Sequence, residues 1–174
     1  MKYLSVIAII ILASCITVKS YPIRGNYPAQ PFEISSTQTF DQAWDKLIDL
    51  FAQKGLPIKI IDRSSGLIIS DRTALKATNE DKNLLPRDKN SWIVVPYVYS
   101  FAKNKKVSME SVPNVYGEWN VRIKKMAEGV LINVNIVNVV TEEPASYKTP
   151  ATLVRIPDYK STGVFENIIA TFIK

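Results

Sequence analysis

The chain is 174 residues long, with 22 basic and 16 acidic side chains, a formal net charge of +6, no histidine and a single cysteine. That length is one domain, large enough to bury a substantial core without covalent staples. Without histidine, the commonest general base, the imidazole-dependent serine and cysteine triads and the usual zinc sites are all excluded.

Met1-Lys2 supplies a positive start, Tyr3 to Ala13 is almost entirely apolar, and small residues sit just before Cys15. A charged start, a short apolar stretch and a small-residue cleavage site mark an export signal; a membrane span needs about 20 apolar residues. The tetrapeptide Leu12-Ala13-Ser14-Cys15 resembles the lipobox of bacterial lipoproteins. The resemblance implies that residues 1–14 are a signal peptide cut before Cys15, whose thiol and new amino group are then acylated, palmitate being a typical chain. A sulfur held in a thioether forms no disulfide. Ile16 follows Cys15 where an Asp is the inner-membrane retention signal of many such lipoproteins, so the resemblance points to the periplasmic side of the outer membrane.

Residues 15–31 carry Pro22, Gly25, Pro28 and Pro31 with no apolar periodicity, and are expected to form an irregular tether. Extended at about 3.1 Å per residue it would reach roughly 50 Å. A single globular domain, residues 32–174, is expected beyond it.

Phe40, Ala43, Trp44, Leu47, Ile48, Leu50 and Phe51 recur at helical spacing, with Thr39 and Gln42 forming a capping box and Gly55 and Pro57 stopping the helix. Ile58–Asp62 and Leu67–Asp71 flank Arg63-Ser64-Ser65-Gly66 as a hairpin. Thr73–Asn90 is polar and highly charged and reads as a long loop. Trp92–Val98 reads as a third strand, with Pro96 at an edge or a bulge. Tyr97, Tyr99 and Phe101 then precede Lys103, Lys105 and Lys106. Rings beside ammonium groups suit a phosphate-rich interface, although a strand end running into a solvated loop gives the same pattern.

Trp119–Lys124 alternates apolar and polar residues, Glu128-Gly129 turns the chain, and Val130–Thr141 returns. Its phase slips after Ile136, where Val137 and Val139 become the apolar positions, which predicts a β-bulge. Glu142–Lys160 is irregular. A last helix spans Thr162–Phe172, with Val164, Phe165, Ile168, Ile169 and Phe172 on its apolar face and Ser161 or Thr162 as its cap. The fold class is therefore α+β: an antiparallel sheet of about five strands with an N-terminal and a C-terminal helix on one face, in the order α-β-β-β-β-β-α.

Phe40-Asp41, Trp44, Leu47 and Gly55, followed by Ile61-Asp62 and Ser65-Gly66-Leu67-Ile68, resemble the helix-grip domain of the lipoprotein C subunit of the outer-membrane β-barrel assembly machine. That resemblance implies a tryptophan-bearing helix packed across a sheet, with a strand pair turning at a Ser-Gly corner.

Of the carboxylates, Asp62, Asp71, Glu142 and Glu143 are the candidates for acid–base work. Glu80-Asp81 lacks the spacing of a calcium loop, and no metal or cofactor site is expected. The expected function is a lipid-anchored envelope protein whose non-catalytic domain binds or scaffolds an envelope protein or polymer. A small-ligand or lipid carrier using the groove between helices and sheet is the alternative, and a carboxylate-dependent hydrolase the third. No nucleic-acid partner is expected of an exported chain.

Overall fold

The computed structural model describes residues 17–102, 105–108, 112, 114–143, 152–156 and 158–174. In chain order its elements are β1 (Thr17–Tyr21), β2 (Phe32–Ser36), α1 (Phe40–Gln53), β3 (Ile58–Asp62), β4 (Leu67–Ser70), β5 (Thr73–Leu75), β6 (Ala77–Thr78), β7 (Ile93–Val94), β8 (Tyr97–Ala102), β9 (Lys105–Ser108), β10 (Val115–Lys125), β11 (Val130–Glu143), β12 (Thr152–Arg155), β13 (Lys160–Ser161) and α2 (Val164–Ile173).

Local chemistry sets both ends of α1. The Thr39 hydroxyl accepts from the Gln42 amide and the Gln42 side chain accepts from the Thr39 amide, closing the capping box. At the other end Gly55 adopts φ +64°, the Leu56 amide donates to the Phe51 carbonyl and the Gly55 amide to that of Ala52. This pair of bonds satisfies carbonyls that a helix end otherwise leaves open. Ala43, Trp44, Leu47, Leu50 and Phe51 form its buried stripe.

The β10–β11 hairpin is the spine of the main sheet. β11 is flanked by β2 along Val130–Val134 and by β12 along Val140–Glu143. β10 is flanked by β4 along Asn120–Arg122 and by β5 along Val115–Gly117, with β3 outside β4. All these pairings are antiparallel, so seven strands fill five positions across the sheet. Tyr116 lies opposite Val140 and Glu118 opposite Val137, which leaves one extra residue on β11. Asn138, at φ +53°, absorbs it. Ile132, Val134 and Ile136 are buried, and Val139 resumes the buried phase after the bulge. Val137, expected to share that phase, is only half-buried, because the extra residue comes after it and Val137 still alternates with Ile136 onto the opposite face.

Trp119 is fully buried at the centre of β10. Its ring lies 4.0 Å from that of Phe165 on α2 and 5.9 Å from that of Trp92, centroid to centroid. Such ring pairs stabilise a core beyond the area they bury.

The architecture is mixed α+β, but four expectations change. The sheet has seven strands where about five are expected, because β2, β5 and β12 are short edge pieces with little periodicity of their own. Two strands, β1 and β2, precede the first helix, so the order does not open on α1. Thr73–Asn90 contains β5 and β6, with Thr78 and Asn79 buried and the Asn79 amide donating to the Val95 and Pro96 carbonyls. Its polar side chains serve the backbone of a neighbouring segment, which composition does not show. The expected third strand is broken into β7 and β8 at Val95-Pro96, where proline has no amide to donate. β7 pairs in parallel with β6 and antiparallel with β13.

Residues 17–31, expected as part of the tether, are joined to the domain. β1 pairs with β8, and the Arg24 and Gly25 amides donate to the Glu80 carboxylate. α2 begins at Gly163, which carries no capping side chain; Ser161 and Thr162 act from outside, accepting from the Gly163 and Val164 amides.

Candidate functional site

A cleft of about 710 Å³ lies where three elements meet: the start of α1, the β3–β4 turn and the end of β10. The turn is built first. The Asp62 carboxylate accepts from the Ser64 amide and from the Ser64 and Ser65 hydroxyls. Those hydroxyl bonds favour the charged form and hold its carboxyl at about 2. Gly66 then passes at φ +70° so closely under β10 that its carbonyl accepts from the Ile123 amide at 2.8 Å.

This places Arg63 at the cleft, where its guanidinium donates to the Asp41 carboxylate at 2.7 Å and lies 5.9 Å from the Trp44 ring centroid. The Arg63 hydrogen bond lowers the Asp41 carboxyl below the usual range, and the same bond raises Arg63. β10 contributes Arg122, Lys124 and Lys125. Lys125 sits 5.0 Å from the Phe40 ring centroid. Arg122 and Lys124 are exposed and form no ion pair among the described residues. Four cations thus face one carboxylate that is already engaged. The cleft suits an anionic partner, and it lacks a carboxyl raised toward neutrality that could act as a general acid.

Farther along β10, on the face that carries Arg122 and Lys124, Glu118 is buried and accepts from Asn138 at 2.9 Å and Lys59 at 3.2 Å. The Asn138 bond lowers its carboxyl, with Lys59 adding to the effect. This group ties the bulge to β3 and has a structural role.

Of the residues singled out in the sequence, Leu12, Ala13, Ser14 and Cys15 lie outside the described residues, as does Lys103. Tyr97 is half-buried in a second cleft, of about 400 Å³, shared with Tyr21, Arg24, Glu80 and Arg87, whose guanidinium is 5.4 Å from its ring centroid. Tyr99 and Phe101 fall on β8, and Lys105 and Lys106 on β9. Asp62 is committed to its turn. Asp71 accepts from the Arg72 amide, and Glu142 and Glu143 end β11 opposite β12. Among the described residues no group of three or more acidic or thiol side chains is placed to hold a metal ion, and no helix is long and apolar enough to cross a membrane. Sequence reasoning missed the cationic cleft. Its only local signal is the run Arg122, Lys124, Lys125 at one end of an alternating strand.

The sequence matches no protein-family model, and no curated protein matches it.

Proposed function

We propose that this chain is a lipid-anchored lipoprotein of a bacterial envelope, held at the periplasmic side of the outer membrane through Cys15, whose domain binds a partner and carries out no catalysis. The anchor is supported by the Leu12-Ala13-Ser14-Cys15 motif behind its apolar run. One structural observation carries the binding half: the cleft between α1, the β3–β4 turn and β10 presents Arg63, Arg122, Lys124 and Lys125 against the single carboxylate of Asp41. Acidic stretches of an envelope protein or an anionic envelope polymer fit that charge.

The finer, helix-grip-like description of the fold belongs to the same proposal. It is supported by contact between α1 and α2 and by the packing of Phe165 on Trp119. The carrier alternative finds less support, because Trp92, Trp119 and Phe165 fill the space between helix and sheet with ring-to-ring contact.

The test is photo-crosslinking from probes placed around Arg122 and Lys124 in intact envelopes, followed by mass spectrometry. One dominant partner, lost when both residues are reversed to Glu, is the expected result. Crosslinks spread without preference, or unchanged by the reversal, would overturn the assignment of the cleft. Cys15→Ala is expected to leave an unprocessed or soluble precursor, and unchanged processing and membrane retention would overturn the anchor.

A further inference from the structure

β3 is the outermost strand of the main sheet: β4 pairs with one side of it, and no strand of the described residues pairs with the other. Ile60 and Ile61 on this strand are 43% and 56% exposed, whereas Ile68, directly opposite Ile61, is fully buried. An open edge carrying large apolar side chains is a template for another strand. The usual guards are a bulge and a lysine, and both are present at Lys59, the extra residue between the Ile58–Ser70 and Ile60–Ile69 pairs. They stand at one end only. The Lys59 ammonium is turned onto the Glu118 carboxylate at 3.2 Å, and Ile60–Asp62 runs in regular register with Leu67–Ile69.

Ile60 and Ile61 are neighbours in a strand and so project to opposite faces of the sheet. A partner lying on either face covers only one of them. An extended segment added in the plane of the sheet covers both, since its own side chains alternate, and its backbone pairs with the outward amides and carbonyls of β3. The far end of the edge sets the charge of that segment. Arg63 follows Asp62 directly, and Asp62, Leu67 and Arg122 lie side by side across β3, β4 and β10, which puts the Arg122 backbone about 10 Å from the edge. Lys124 and Lys125 line the same cleft. A strand antiparallel to β3 begins at this end, so the residues just ahead of it enter the cleft.

We propose that β3 is the docking edge for an extended segment of a partner protein, which adds as an antiparallel strand with acidic residues ahead of it in the cleft of Arg63, Arg122, Lys124 and Lys125. The inference rests on the binding role given to that cleft and specifies the partner there as a polypeptide. Backbone bonds to β3 supply affinity, the two isoleucines select apolar side chains on both faces, and the cations select carboxylates and fix the direction.

The experiment titrates the full-length protein with a synthetic peptide of three glutamates followed by alternating valine and threonine, and with triglutamate alone. Amide hydrogen exchange reads residues 58–62. The peptide is expected to bind at least tenfold more tightly than triglutamate and to slow exchange in β3 several-fold. Arg122→Glu/Lys124→Glu should weaken both ligands. Ile60→Ser/Ile61→Ser should remove the advantage of the peptide while triglutamate binding stays unchanged, which also shows that this variant is folded. Equal affinities, or an advantage that survives the serine pair, would overturn the docking edge and leave the cleft standing. No binding of either ligand would overturn the cleft and this inference with it. A peptide-free dimer that protects residues 58–62 would assign the edge to a second copy of the chain and overturn this inference alone.

Discussion

Gln30 donates a 2.8 Å hydrogen bond from its side-chain amide to the Glu166 carboxylate, joining the segment before β2 to the first turn of α2. Glu166 is fully buried, and the Ser161 hydroxyl donates to the same oxygen. Residues that composition marks as linker therefore complete a polar cluster inside the domain. Removing the acceptor strands the buried Ser161 hydroxyl, at a cost on the order of 1–3 kcal/mol, while the exposed Gln30 amide can turn to water. Glu166→Ala is expected to lower stability by about 1–3 kcal/mol in urea unfolding. Glu166→Gln, which keeps an acceptor oxygen, should cost clearly less; equal losses from the two would show that the cluster contributes through packing alone.

Gly55, just past the end of α1, and Gly66, beside the cleft, separate backbone strain from crowding. Gly55 and Gly66 both have positive φ, at +64° and +70°. A Cβ at Gly55 would meet nothing within 4 Å, whereas at Gly66 it would lie 2.2 Å from the Ile123 carbonyl oxygen. Gly55→Ala is expected to cost about 1 kcal/mol, the ordinary penalty of the left-handed region. Gly66→Ala should cost at least twice that, since β4 must part from β10 to admit the methyl group. Thermal unfolding midpoints of the two variants measure the difference.

Asp62 makes the β3–β4 turn acid-sensitive. Its folded carboxyl, held at about 2, lies below the ordinary carboxylate value of 3.8. A depressed folded value means that the unfolded chain binds the proton more readily, so the stabilisation is present above about pH 4 and lost as pH falls toward 2. Asp62→Asn should flatten the stability profile in that window while leaving it parallel to the parent above pH 5. A profile unchanged between pH 4 and 2 would mean that the Ser64 and Ser65 bonds do not select the charged form.

Arg122 and Lys124 are exposed and lack ion-pair partners among the described residues, so their reversal to Glu should change stability by no more than about 0.5 kcal/mol. Binding is expected to respond strongly: the double reversal should weaken partner capture at least tenfold, and the parent interaction should fall with added salt. Capture that is insensitive to salt would point away from the cationic cleft.

Trp119 is the deepest large side chain of the spine. Trp119→Ala is expected to cost about 3–5 kcal/mol, because it opens a cavity against Trp92 and Phe165 that neither helix nor sheet can close. Urea unfolding measures it, and a loss below about 2 kcal/mol would show that these rings collapse into the space.

The limits of α1, the hairpin at Gly129 and the slip in phase along β11 are legible from residue order alone. Each depends on neighbours within a few positions: a capping hydroxyl, a glycine at positive φ, a period of 3.6 or 2. The cleft was only half legible, since Phe40, Asp41 and the Ser64-Ser65-Gly66 turn stand out in the sequence while Arg122, Lys124 and Lys125 read as an ordinary wet strand end. What brings them together is the bond between Gly66 and Ile123, which spans more than fifty positions.

By itself, then, the order of residues determined an α+β domain, two amphipathic helices and a long central hairpin, because caps, periodicity and turn chemistry act locally. Only the tertiary structure decided that seven strands share five places, that residues 17–31 are joined to the domain, and that Arg63 meets Arg122, Lys124 and Lys125 at one cleft. Those outcomes depend on which distant backbone satisfies which donor and acceptor, and short edge strands leave no periodic trace of that choice.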